Sequence, residues 1–469
     1  MNKWITMALL IGGLLGLSLA GRLHPRLLEM RRQAHLNLAA PLENTPPLVA
    51  FTTVALGGFR GLIADILWIR ASNLQDDRKY FELVQLADWI TKLEPRLTDV
   101  WAFHAWNLAY NISVLFPNPA DRWRWVRHGI SLLRDNGLVY NPGDAGLFYE
   151  LGWLFQHKIG AAYDQAHVYY KKAWAAEMMT LFDGERPDYE ELLSAYRSRK
   201  ELVRNPEIVA LLNRLRALGQ DPFDPRLLDK SGLSAEVAAE LERSGAAAQA
   251  LLLFLRAQRL RETYKLDPLI MMEVDKEFGP LDWRMPQAHA IYWAYRGRST
   301  ATGFDAVALD RMIFQSLGDA FRQGRLFVDA ANNLFIPSPN LDLISKVLAA
   351  FDHAIQAHPE QDTMKSAKAN FLREAVIYLY LYNRQDQAHA ILDELAAEYP
   401  SEEYTHGLES FVLNTFSDRI ANVSERDAMA LVESTAYQSL FWQALGDNGR
   451  ATGYLNLSKL CWNTYMEPM

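Results

Sequence analysis

The chain has 469 residues, 50% of them hydrophobic and 22% charged, so it can bury a large core and does not have the composition of a disordered tail. Its formal net charge of -8 argues against nucleic acid as a partner, because phosphate binding needs a basic surface. With one cysteine, Cys461, neither an intramolecular disulfide nor a thiolate metal cluster can form.

The run Trp4 to Gly21 carries no charge and has roughly the length needed to cross a bilayer as a helix. Arg22, Arg26, Arg31 and Arg32 follow at once, and such residues tend to stay in the cytoplasm. The expectation is a retained single-pass anchor over 1–21, with the bulk of the chain on the cytoplasmic face. Ser18 and Ala20 also fit a cleavage site, so a removed signal segment and a periplasmic location stand as the alternative. Gly12 and Gly16 would let two spans pack closely. A basic and apolar connecting region is expected over 22–63. Within the apolar stretch Leu48 to Ile69, Arg60 and Asp65 are costly in lipid, which favours a helix packed beneath the rest of the molecule.

From residue 64 the pattern is helical: apolar residues recur at three and four, and prolines fall between periodic segments. Leu83, Ala87 and Ile90 run up to Pro95, and Trp101, Ala105 and Leu108 begin the next segment. Ile130, Gly137 and Pro142 keep these offsets, with Arg134 in the central apolar place. Phe148, Leu151, Gly152 and Phe155 form one helix face, and Ala166, Tyr170 and Ala173 the next, with Gly152 expected to sit against Ala166 and Tyr170. In the second half Val347, Phe351, Ala354, Pro359 and Ala388, Leu392, Leu395, Pro400 repeat the offsets, and Ala451 with Leu455 gives a weaker copy.

These segments resemble tetratricopeptide repeats. The resemblance rests on the four first-helix positions Phe148, Leu151, Gly152 and Phe155 and the second-helix positions Ala166, Tyr170 and Ala173. The copies depart from the family in spacing: equivalent prolines stand 47 residues apart at Pro95 and Pro142 and 41 apart at Pro359 and Pro400, against the roughly 34 of regular repeats. The resemblance implies an all-α helical-hairpin solenoid preceded by one transmembrane helix, with arrays over 64–180 and 301–469 joined by divergent helices over 181–300. In that middle region Ser234 reads as an N-cap, followed by one long helix running to Tyr264.

Phosphate-cradling glycine loops, HExxH, CxxC and GxSxG elbows are missing from the sequence, so no catalytic residue, metal site or cofactor is expected. The loop Gly279 to Pro286 places Asp282 and Arg284 on either side of Trp283, and these two are candidate ligand contacts as well as candidate caps of the next helix. The 13 Trp and 20 Tyr suit either sugar stacking or the wide gaps between helical hairpins.

In the tetratricopeptide family the first helix of each hairpin lines a concave face. Carried onto this sequence, the groove contacts are Trp106, Tyr110, Tyr149, Trp153 and Gln156, with Asn370 and Arg373 in the distal array. The leading expectation is a membrane-anchored scaffold that holds a protein or peptide in this groove, in the setting of envelope-complex assembly. A glycan-binding helical-repeat protein and an α-helical hydrolase are the alternatives.

Overall fold

The structure is a computed structural model that describes residues 59–465 apart from 183, 185, 230–231, 330–333 and 418–424. The described chain is all-helical, with about 20 helices and one short β-hairpin. Among the described residues no helix is long and apolar enough to cross a membrane. The expected anchor over 1–21, and the connecting region up to 58, lie outside the described residues.

Helix α1 (Phe59–Asp76) packs against α2 (Tyr80–Leu93), whose buried stripe Leu83, Leu86, Ala87 and Ile90 follows helical spacing. The expectation that the apolar stretch ending at Ile69 is covered holds for one face only: Ala64 and Ala71 are buried, while Leu62, Ile66 and Ile69 are exposed. Next come α3 (Thr98–Trp106), α4 (Pro119–Ser131), α5 (Ala145–Trp153) and α6 (His167–Met179). The starts have local causes. Asn118 accepts a hydrogen bond from the Ala120 amide with Pro119 in the first turn, and Asp144 accepts one from Leu147. Three of these helices widen into π turns, at Asn107–Ile112, Leu132–Gly137 and Leu154–Gly160.

A middle group follows: α7 (Tyr189–Ser194), α8 (Pro206–Ala217), α9 (Ala235–Arg243), α10 (Gly245–Arg259) and α11 (Pro268–Phe278). Ser234 does cap α9, accepting from the Val237 amide. The single long helix expected from there to Tyr264 is two helices, broken where Gly245 takes a positive φ of 47° that side-chain-bearing residues seldom adopt.

Helix α12 (Pro286–Arg298) is buried along nearly its whole length and packs against both α5 and α13 (Phe304–Gln323). Two glycines permit the close crossing. A Cβ on Gly152 would lie 2.5 Å from Met312 Sδ and 3.3 Å from the Ala290 carbonyl, and one on Gly297 would lie 2.9 Å from Phe148 Cβ. Gly152 therefore faces α12 and α13, correcting its expected place against Ala166 and Tyr170. Tyr170 instead stacks on Trp123 of α4, centroids 5.7 Å apart.

Strands β1 (Arg325–Asp329) and β2 (Leu334–Ser338) pair antiparallel, with Phe327 opposite Ile336. Helices α14 (Ile344–Ala357), α15 (Asp362–Leu381), α16 (Gln385–Glu398) and α17 (Leu408–Ser417) lead to a final pair, α18 (Glu425–Ala444) and α19 (Asn448–Tyr465). Val347, Phe351, Ala354, Ala388, Leu392 and Leu395 are all buried as their spacing predicts, whereas Leu455 is exposed and Leu457 and Cys461 take the inward places on α19.

Candidate functional groove

The predicted first-helix residues come together through ring stacking. Trp106 stacks on Tyr110 with centroids 5.6 Å apart, and Tyr149 on Trp153 at 6.1 Å. His157 joins the two pairs: its imidazole lies 4.6 Å from the Trp153 ring at 9° from parallel, and its Nδ1 shares a 3.0 Å hydrogen bond with Tyr110 OH. Tyr163, 82% exposed, covers the imidazole at 4.9 Å. Tyr110 and His157 both lie on π turns, where the extra residue per turn alters which side chains share a face.

Beneath this ladder is a buried charge network. Lys158 donates to Asp164 Oδ2 at 2.5 Å, Arg122 reaches Asp164 Oδ1 at 3.3 Å, and Tyr170 OH donates to Oδ2 at 3.2 Å. Lys158 also sits 4.9 Å from the Tyr110 ring centre. Burial opposes ionisation of Asp164, but the Lys158 hydrogen bond prevails and holds the carboxyl below its ordinary range. Burial, then the Lys158 charge, lowers the His157 pKa, so the stacked imidazole is neutral at pH 7. Burial, then Glu150, raises that of Tyr110.

Trp153, Gln156, His157 and Tyr163 form one wall of a cavity of about 490 Å³ whose other wall comes from α13 and α15, including Phe314, Arg322, Asn370 and Glu374. An adjoining cavity of about 660 Å³ shares Arg322, Asn370 and Glu374 and continues past Arg373, Tyr378 and Tyr382. The two make a continuous groove lined by the predicted residues Trp153, Gln156, Asn370 and Arg373, whereas Trp106, Tyr110 and Tyr149 lie off it, Tyr110 on a separate cavity with His157 and Lys158. Arg322 bridges its middle through a two-pronged pair with Glu374, at 2.7 and 2.6 Å, and a 2.9 Å bond to Asp319. Arg373 is held by Glu403 and by Tyr404 OH.

Not every predicted residue is a free groove contact. Gln156 lines the cavity but is buried, and its amide donates to Ser316 Oγ at 3.0 Å and to the Met312 carbonyl at 3.3 Å, tying α5's extension to α13. Asp282 and Arg284 do not line the groove. Both are buried, paired at 2.7 Å, and they grip strand β1 at the amide and the carbonyl of one residue, Leu326. The Leu326 amide donates to Asp282 at 2.9 Å, and Arg284 donates to the Leu326 carbonyl at 2.7 Å.

Sequence reasoning missed His157, Tyr163, Arg322 and Glu374. His157 carried a signal, since it stands four residues beyond Trp153 and eight beyond Tyr149. Arg322 and Glu374 carried none, because their pairing depends on how α13 meets α15. Among the described residues, no group of His, Cys, Asp or Glu is arranged to hold a metal ion. No family model, curated protein or solved structure matches the chain.

Proposed function

We propose that the chain is a divergent tetratricopeptide-like scaffold that holds an extended segment of a partner protein in the α5–α13–α15 groove, tethered to a membrane by its apolar N-terminal run with the helical body on the cytoplasmic side. The observation that carries this reading is the continuity of the groove from Trp153, His157 and Tyr163 at one end to Asn370 and Arg373 at the other. Rings with exposed faces and polar edges provide large contact area at low side-chain entropy cost, as protein recognition surfaces do. The paired arginines along the floor provide polar contacts whose geometry is set in advance.

The test is photocrosslinking in the native membrane. A benzophenone amino acid placed at Trp153 or Tyr163 of the full-length protein should capture a discrete polypeptide, whereas the same group at Lys172 on α6 should not. Equal capture from all three positions would overturn the groove reading. Saturable binding of an oligosaccharide, lost on Trp153→Ala, would replace the protein partner with a glycan.

A further inference from the structure

Arg134 stands in the central apolar place of its helical segment, and the structure leaves it only 9% exposed. It lines a cavity of about 390 Å³ that shares no lining residue with the groove. Three further cations, Arg261, Lys265 and Arg296, line the same cavity, with Asp267 as its one carboxylate. Arg134 is answered by Asp135, which accepts from its Nε and Nη2 at 2.8 Å each. Among the described residues no ion pair forms at Arg261, Lys265 or Arg296, and Asp267 accepts from the Leu269 amide at the start of α11. Four cations facing two carboxylates leave two positive charges in excess, in a chain whose net charge is -8.

The cations are held in place by features that precede any ligand. The Arg296 guanidinium carbon lies 5.3 Å from the Phe148 ring centre, 5.9 Å from that of Trp293 and 6.0 Å from that of Tyr292. Lys265 has a left-handed backbone, φ 54°, at the end of the π turn Leu260–Tyr264. Tyr292 fixes it there: its OH donates to the Lys265 carbonyl at 3.2 Å and accepts from the Asp267 amide at 2.9 Å. Glycine or asparagine would take that conformation more easily than lysine, so the position carries a cation at some cost to the backbone. Arg134 and Arg261 both lie on π turns, a local geometry frequent at functional sites. Leu138, Val139 and Pro142 give the cavity an apolar side.

We infer that this cavity binds a small molecule bearing one phosphate monoester. The phosphate dianion balances the two excess charges, whereas a carboxylate or a sulfate monoester would leave one cation uncompensated and a pyrophosphate would overcharge the site. Guanidinium forks match the oxygens of a phosphate. The volume falls at the lower end of small-molecule sites, roughly 300–1,000 Å³. It takes the phosphate and one compact organic group against the apolar side, so the ligand is a free phosphorylated molecule and not a phosphate carried on a protein chain or a lipid.

The experiment titrates the purified full-length protein with phenyl phosphate and with phenyl sulfate, which keeps the ring and the tetrahedral head but carries one charge. Phenyl phosphate should saturate one site per chain, and phenyl sulfate should bind at least tenfold more weakly. Lowering the pH from 7.5 to 5 should weaken phenyl phosphate roughly tenfold, because the second phosphate pKa lies near 6. Arg261→Gln and Arg296→Gln should each weaken binding at least tenfold. Lys265→Asn should do the same while keeping or raising the melting temperature, a separation that a merely structural lysine would not give. Asp267→Asn keeps an acceptor for the Leu269 amide and should tighten binding several-fold. Melting scans establish that each variant is folded, and Lys265→Asn decides the matter if the arginine variants are not. No saturable binding of phenyl phosphate, equal affinity for phenyl sulfate, or undiminished binding by folded Lys265→Asn overturns the site. Binding of a phosphoserine peptide or of dihexanoyl phosphatidic acid in place of phenyl phosphate overturns the assignment to a free small molecule. Crosslinking in the groove should be unchanged in every variant, so the groove reading stands or falls separately.

Discussion

Gly152 on α5 and Met312 on α13 are in such close contact that a single added carbon would come within 2.5 Å of the sulfur. Gly152→Leu should therefore cost about 1–3 kcal/mol in urea unfolding, and truncation of Met312 to Ala in that background should restore part of the loss. Met312→Ala alone should cost about 2–5 kcal/mol as a cavity. Additive losses, with no rescue, would mean the two side-chain positions do not share space.

Tyr163 offers a separation of binding from stability. It is 82% exposed and stacks on the His157 ring, so Tyr163→Ala should shift unfolding by no more than about 0.5 kcal/mol. Capture of a groove partner should nonetheless fall, by roughly tenfold if the ring contributes about 1.4 kcal/mol. A stable variant with unchanged capture would remove Tyr163 from the recognition surface.

The opposite pattern is expected at Asp282. Its replacement by Ala takes the carboxylate away from buried Arg284 and removes the acceptor of the Leu326 amide. Breaking such a pair costs about 3–5 kcal/mol. Thermal unfolding should register that loss, while partner capture by the protein that remains folded should be unchanged.

Acid stability follows from two buried imidazoles. Burial lowers His104 and His289 from 6.5 to about 4. Among the described residues His104 has no hydrogen bond at either ring nitrogen, and His289 Nε2 pairs with the Trp283 carbonyl at 2.9 Å. Because the unfolded chain takes up protons first, stability should be complete above about pH 6.5 and decline as pH falls toward about 4. Each histidine contributes on the order of 3 kcal/mol to the decline at its foot. Urea titrations at pH 7 and pH 5 should show this slope, reduced in His289→Gln.

How much of this was readable in the sequence depends on the range of the interactions involved. Local ones were legible: helical spacing marked Leu83, Ile90, Phe148, Leu151, Phe351 and Leu395 as inward, and all six are buried. Assignment to hairpin faces led to Trp153, Asn370 and Arg373, which line the groove, and also to Tyr149, which does not. What spacing could not carry was the partner of each face. Gly152 signalled a close approach without saying that α12, rather than α6, makes it. The π turns at Asn107–Ile112 and Leu154–Gly160 were also invisible, because an i to i+5 bond depends on tertiary packing and leaves no period of its own. Asp282 and Arg284 show a related limit: a charged pair around a tryptophan reads as a ligand contact or a helix cap, yet the Leu326 backbone that both side chains grip lies more than forty residues on.

The insertion of α12 against α5 has a consequence for how the molecule is made. Phe148 stacks on Trp293 at 6.2 Å and Phe155 on His289 at 5.1 Å. A ribosome releases α5 long before it releases either partner. Through that interval the apolar face of α5 stands uncovered, and no stop after Met179 gives a finished unit. The smallest piece expected to fold while synthesis continues reaches through Gln323, and shorter nascent chains should be held by chaperones.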